Sequence, residues 1–132
     1  MNKKIEDALS KLEAAVARLG QALGEDRSNP LYLDATVQRF EFVFELAWKT
    51  LKRALEAEGL LCRTPRETFK VAYQAGWINE EELWIQMLDD RNLTSHTYDE
   101  PLAAEIYDNI KSYFPELMKL AALLRAKHPR SG

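Results

Sequence analysis

The chain has 132 residues, of which 46% are hydrophobic and 30% charged, with a formal net charge of −3. That length and composition describe one globular domain, residues 1–132, with 127–132 as a polar, frayed tail, and exclude a disordered chain. The mildly acidic balance excludes indiscriminate nucleic-acid binding, which needs a basic surface, but leaves room for a local basic site.

The first segment places Ile5, Ala8, Leu12, Ala15, Leu19 and Leu23 at steps of three and four, one apolar stripe on a helix. Gly24 to Pro30 is dense in turn residues and reads as a loop. The second segment, Leu31 to Glu58, carries Leu33, Val37, Phe40, Phe44, Ala47, Leu51 and Leu55 on one face, with Trp48 broadening it and Gly59 as the expected C-terminal cap. Phe42 and Tyr32 fall off that stripe and are expected to face a partner chain.

Thr64-Pro65-Arg66-Glu67 opens a shorter helix, with Thr64 as N-cap, Pro65 in the first position and Gly76 as its end. Asn79 ahead of Glu80-Glu81-Glu82 starts another, whose core face is Leu83, Trp84, Met87 and Leu88. Asp99 is the expected N-cap of the last helix, which buries Ile106, Ile110, Tyr113, Leu117, Leu120 and Leu124, with Pro115 kinking or dividing it. The fold class is all-α, an antiparallel up-and-down bundle of about five helices, four-helix-bundle-like and expected as a homodimer. Cys62 stands alone and cannot form an internal disulfide, and no apolar run resembles a signal peptide or a membrane span, so the expected location is the cytoplasm.

The chemistry is concentrated in Arg91-Asn92-Leu93-Thr94-Ser95-His96-Thr97-Tyr98, directly after Asp89-Asp90. A histidine moves a proton near neutral pH, and an arginine carries a permanent forked charge suited to phosphate. On an ideal helix two residues five apart are separated by about 140° around the axis, so Arg91 and His96 would not share a face. Two arrangements bring them together. The helix ends within Asn92-Leu93-Thr94-Ser95, where short polar side chains compete for backbone hydrogen bonds. Alternatively, two copies of the motif meet across a dimer axis.

Either arrangement suits RNA cleavage, because RNA carries its own nucleophile in the 2′-hydroxyl. A neutral imidazole takes that proton, an imidazolium protonates the departing 5′-oxygen, and a guanidinium stabilises the charge on phosphorus. The chain has no His/Cys cluster with metal spacing, so neither a metal nor another cofactor is expected. Asp89 and Asp90 are expected to orient Arg91 or cap a neighbouring turn. The competing reading makes His96 a hydrogen-bonded interface residue, Arg91 a salt-bridge partner of Asp89 or Glu100, and Tyr98 a core anchor. Trp48, Trp77 and Trp84 read as packing residues, Cys62 as inert, and Lys49-Lys52-Arg53 as a solvated helix face.

The motif Arg91-x4-His96-x-Tyr98 resembles the R-x4-H-x-Y motif of the HEPN superfamily, in the branch of the HepT-like toxins. Gln38 to Phe42, Phe44 to Leu51, Pro65 to Thr68, and Leu83-Trp84 through Tyr98 are similar to the nucleotidyltransferase substrate-binding proteins, a likeness over roughly residues 5–125. The resemblance implies a helical bundle that dimerises with its motifs at the interface, and a small partner nucleotidyltransferase. It implies a toxin–antitoxin pair in which the dimer is a metal-independent endoribonuclease acting on RNA, with no membrane or DNA partner. Arg91 and His96 would then be catalytic, Asn92 and Asp90 supporting, and Tyr98 the position that the partner silences with AMP. The substrate-binding name of the family supports a second reading, a noncatalytic subunit that holds a substrate or nucleotide for the nucleotidyltransferase, and a third, purely structural reading is a scaffold that only dimerises and docks its partner.

Overall fold

The structure, a computed structural model, describes residues 2–25, 29–96 and 99–130. Its helices are α1 (Lys3–Leu23), α2 (Pro30–Ala57), α3 (Pro65–Gln74), α4 (Glu81–Leu93) and α5 (Glu100–Lys127), with a 3-10 turn at Thr94–His96. Connections of six or seven residues join them. No strand occurs among the described residues, and none of their helices is long and apolar enough to cross a membrane.

The helix ends follow local chemistry. Asn2, Asn29, Thr64 and Asp99 each accept a hydrogen bond from a free N–H of the helix they precede, as with Thr64 Oγ1 from the Glu67 N–H at 3.1 Å. Asn79, however, is not the cap of α4. Glu80 holds that position with no side-chain hydrogen bond, and Glu81 and Glu82 answer the positive helix end by charge alone. Gly59 and Gly76, at φ of +83° and +78°, turn the chain out of α2 and α3. At each, the following residue's N–H reaches back five positions, Leu60 to the Leu55 carbonyl and Trp77 to that of Ala72.

Packing then corrects the sequence pattern where volume decides. In α1 the buried face takes Leu9 and Val16 along with Ile5, Leu12, Ala15 and Leu19, while Ala8 and Leu23 sit at its margin. Burying larger side chains removes more apolar surface from water. In α5 all six expected core residues are buried. Pro115 does not divide that helix. It lacks an N–H, a loss of about 3 kcal/mol in a helix interior, but buried side chains on both sides of it outweigh that cost at about 1.5–3 kcal/mol each. At the end of α5, Lys127 Nζ lies 4.4 Å from the Trp77 ring centre, and beyond it Arg130 reaches Glu13 at 3.0 Å.

Helix α2 contacts all four other helices and carries the centre of the core. A run of rings crosses the molecule through it. Tyr113 on α5 stacks on Phe40 at 5.6 Å, Phe40 lies 6.2 Å from Phe44, Phe44 meets Phe69 on α3 edge-on at 5.8 Å, and Phe69 lies 5.2 Å from Trp84 on α4. Each well-placed pair adds about 0.5–1.5 kcal/mol beyond its buried area. Trp48 is not part of this run; it is half-buried and donates its indole N–H to Glu45 at 3.3 Å.

Candidate functional site

The last turn of α4 is fixed to the ring run on two sides. Asp90 is buried and faces α5, where it accepts from the Tyr113 hydroxyl at 2.5 Å and from Asn109 Nδ2 at 3.0 Å. Burial, reinforced by that carboxylate, holds the Tyr113 hydroxyl well above the ordinary tyrosine range, so it stays protonated and donating. Arg91 is the next residue, turned by about 100° around the helix, and faces α2 instead. Its Nη1 donates to Glu45 Oε1, and its guanidinium carbon lies 5.3 Å from the centre of the Phe44 ring. Asp90, Tyr113, Phe40, Phe44 and Arg91 therefore form a closed circuit of contacts.

Glu45 is the polar centre of this face. One oxygen takes Arg91, and the other accepts from Trp48 Nε1 and lies 3.5 Å from Lys49 Nζ. Glu45 thus faces two cations and an indole N–H, and its charge stays paired although the side chain is only 30% exposed. Arg91 is less fully matched. Among the described residues its Nε is buried with no hydrogen-bond partner, and its side chain remains 25% exposed.

Helix α4 stops at Leu93. The Thr94 hydroxyl bonds the Arg91 carbonyl at 2.7 Å, and the backbone tightens into the 3-10 turn that carries His96. The break lies inside Asn92 to Ser95, the first of the two arrangements that the sequence leaves open. Asn92 and His96 are exposed, and the His96 carbonyl accepts from the Asp99 N–H at 3.1 Å. Tyr98 lies outside the described residues. Among the described residues, no group of three His, Cys, Asp or Glu side chains is placed to hold a metal ion.

Residues 4–126 match the family described as nucleotidyltransferase substrate binding protein like. The chain belongs to that family. It is 28% identical over 133 residues to a Haemophilus influenzae protein named "Probable ribonuclease HepT", covering 94% of this chain and 91% of that one. A crystal structure from Thermus thermophilus is similar at 35% identity and a TM-score of 0.75, covering 90% of this chain and 99% of that one. A second solved structure, from Haemophilus influenzae and described as revealing the fold of a substrate binding domain of a nucleotidyltransferase, is similar at 27% identity and a TM-score of 0.70, covering 93% and 98%.

In this member of the nucleotidyltransferase substrate-binding family, neither acidic neighbour orients Arg91. Asp89 is exposed and lies 3.8 Å from Arg66, while Asp90 is taken up by hydrogen bonds from α5. Nor is Arg91 paired with Asp89 or Glu100; its partner is Glu45, forty-six residues away. Glu45 carried no mark of this role in the sequence. The available signal was weak: Glu45 and Lys49 share a helix face with Trp48 adjoining, a charged spot beside an aromatic stripe.

Proposed function

We propose that this chain is the toxin of a two-gene toxin–antitoxin pair, a homodimeric endoribonuclease that works in the cytoplasm without a metal and is silenced when a partner nucleotidyltransferase attaches AMP to Tyr98. The observation that carries this reading is Arg91, held by Glu45 over the Phe44 ring with its side chain still partly exposed, in the last turn of α4 before a 3-10 turn that ends in exposed His96. The name of the Haemophilus relative points the same way.

In this scheme His96 accepts the 2′-hydroxyl proton as O2′ attacks phosphorus, and the bond to the 5′-oxygen breaks. A protonated imidazole, supplied by the second copy, returns a proton to that oxygen and leaves a 2′,3′-cyclic phosphate. Arg91 stabilises the charge gathered on the phosphoryl oxygens, Asn92 supports the substrate from the exposed face of the same turn, and Asp90 holds the turn in place. An adduct on Tyr98 would bring a bulky negative charge beside the site and repel RNA.

A second reading, a noncatalytic subunit that holds the substrate of a nucleotidyltransferase, is favoured by the family description and by the substrate-binding role stated for the second solved structure. One experiment separates the two. The partner-free protein is expected to cleave RNA in EDTA, and His96→Ala is expected to slow this by about 10²–10⁴-fold. Undiminished cleavage in His96→Ala and Arg91→Ala overturns the catalytic assignment. No cleavage by the native chain, together with an unchanged mass after incubation with the partner and ATP, favours the binding subunit.

A further inference from the structure

On the outer face of α1 and α2 lies a groove of about 470 Å³, lined by Lys11, Ala14 and Arg18 on one side and Ala35, Arg39 and Phe42 on the other. Its alanines are short and leave the floor open. Its rim carries three cations and no carboxylate, in a chain whose net charge is −3. None of the three cations takes part in an ion pair among the described residues, whereas Arg66, Arg91, Arg125 and Arg130 all do. Phe42 is 61% exposed, whereas Phe40 and Phe44 on the same helix are fully buried.

The groove also leads toward the site. Phe42 stands three residues before Glu45 on α2, about 4.5 Å along the axis and about 60° around it. The next turn of α2 beyond Phe42 therefore carries Glu45, the partner of Arg91. A second groove of about 230 Å³ continues the other way past Arg18, Arg39, Tyr32 and Glu25.

We propose that this groove is the binding track for a single-stranded RNA segment flanking the cleaved bond, with Lys11, Arg18 and Arg39 on phosphates and Phe42 stacking a base. The identity of the ligand rests on the ribonuclease reading; the charge pattern and the exposed ring do not. A polyanion answers three unpaired cations, and a flat exposed ring is the sequence-tolerant platform on which single-stranded bases stack. A second copy of the chain fits less well, because a two-fold contact centred here sets the same cations against one another.

The test measures binding of a fluorescent single-stranded RNA oligonucleotide to His96→Ala protein, which removes cleavage from the measurement. Adding Phe42→Ala is expected to weaken binding about tenfold. Adding Arg18→Gln and Arg39→Gln together is expected to lower the slope of log K against log salt by about 1.4, two phosphate contacts at about 0.7 each. These side chains are exposed, so circular dichroism should stay unchanged. Binding by these variants equal to that of His96→Ala alone, with the same salt slope, overturns the track, even where the native chain cleaves RNA. The same holds for no RNA binding by His96→Ala itself, or for variants that change only the oligomeric state or the binding of an acidic protein. Groove-dependent binding by a native chain that never cleaves keeps the track and sinks the ribonuclease reading instead.

Discussion

Arg125 and Arg91 each carry a guanidinium from one helix to carboxylates on another, and they do so very differently. Arg125, on α5, is saturated by α1. Its Nε and Nη2 grip Glu13 at 3.1 and 2.7 Å, its Nη1 reaches Glu6 at 2.6 Å, and Ser10 and the His128 carbonyl take further contacts. The Arg125 hydrogen bonds hold both Glu6 and Glu13 below the ordinary carboxylate value, and those carboxylates in turn raise Arg125. Arg91 has one carboxylate on one nitrogen, an aromatic face beneath it, and a buried Nε with no partner among the described residues. A structural arginine spends its donors on the protein. Arg91 is held more sparsely, with its side chain still 25% exposed.

This contrast breaks most visibly under conservative exchange. Arg91→Lys replaces a fork with a point charge and is expected to slow RNA cleavage about 100-fold with folding intact. Arg125→Lys should leave the cleavage rate unchanged. Equal effects in a single-turnover assay would erase the distinction. Tyr113→Phe removes one of two donors to buried Asp90 and is expected to cost about 1–3 kcal/mol in urea unfolding, with a smaller loss of activity as the last turn of α4 loosens.

Glu45→Gln keeps an acceptor but loses the charge opposite Arg91. Cleavage is expected to fall about tenfold with little change in melting temperature, since the pair is partly solvated. A full cleavage rate would show that the Phe44 face alone positions Arg91. The smallest effect concerns Arg125 and pH. The folded state lowers Glu6 and Glu13, so it favours their charged forms. The stability this adds is complete above the ordinary value of 4.5 and is lost as pH falls below it. Arg125→Ala should therefore melt a few degrees lower at pH 7, and the gap should close toward pH 3. A gap that stays constant with pH would show that the hub acts through packing alone.

Local chemistry in the sequence was enough for the helices and most of their ends. Thr64 and Asp99 cap because a short oxygen one position before a helix meets its free N–H groups, and Gly59 and Gly76 end helices because a residue without Cβ adopts positive φ freely. The break after Leu93 was legible as one of two arrangements, because Asn, Thr and Ser side chains there compete for backbone hydrogen bonds. The choice of Leu9 over Ala8, the persistence of α5 through Pro115 and the partner of Arg91 were not. Each depends on what a distant segment presents: volume to fill in the first case, a buried stripe on either side of the proline in the second, a carboxylate forty-six residues away in the third. Periodicity tells which way a side chain points within its own helix, whereas the group it meets there is set by how the helices pack, and so only the tertiary structure could place Glu45 opposite Arg91.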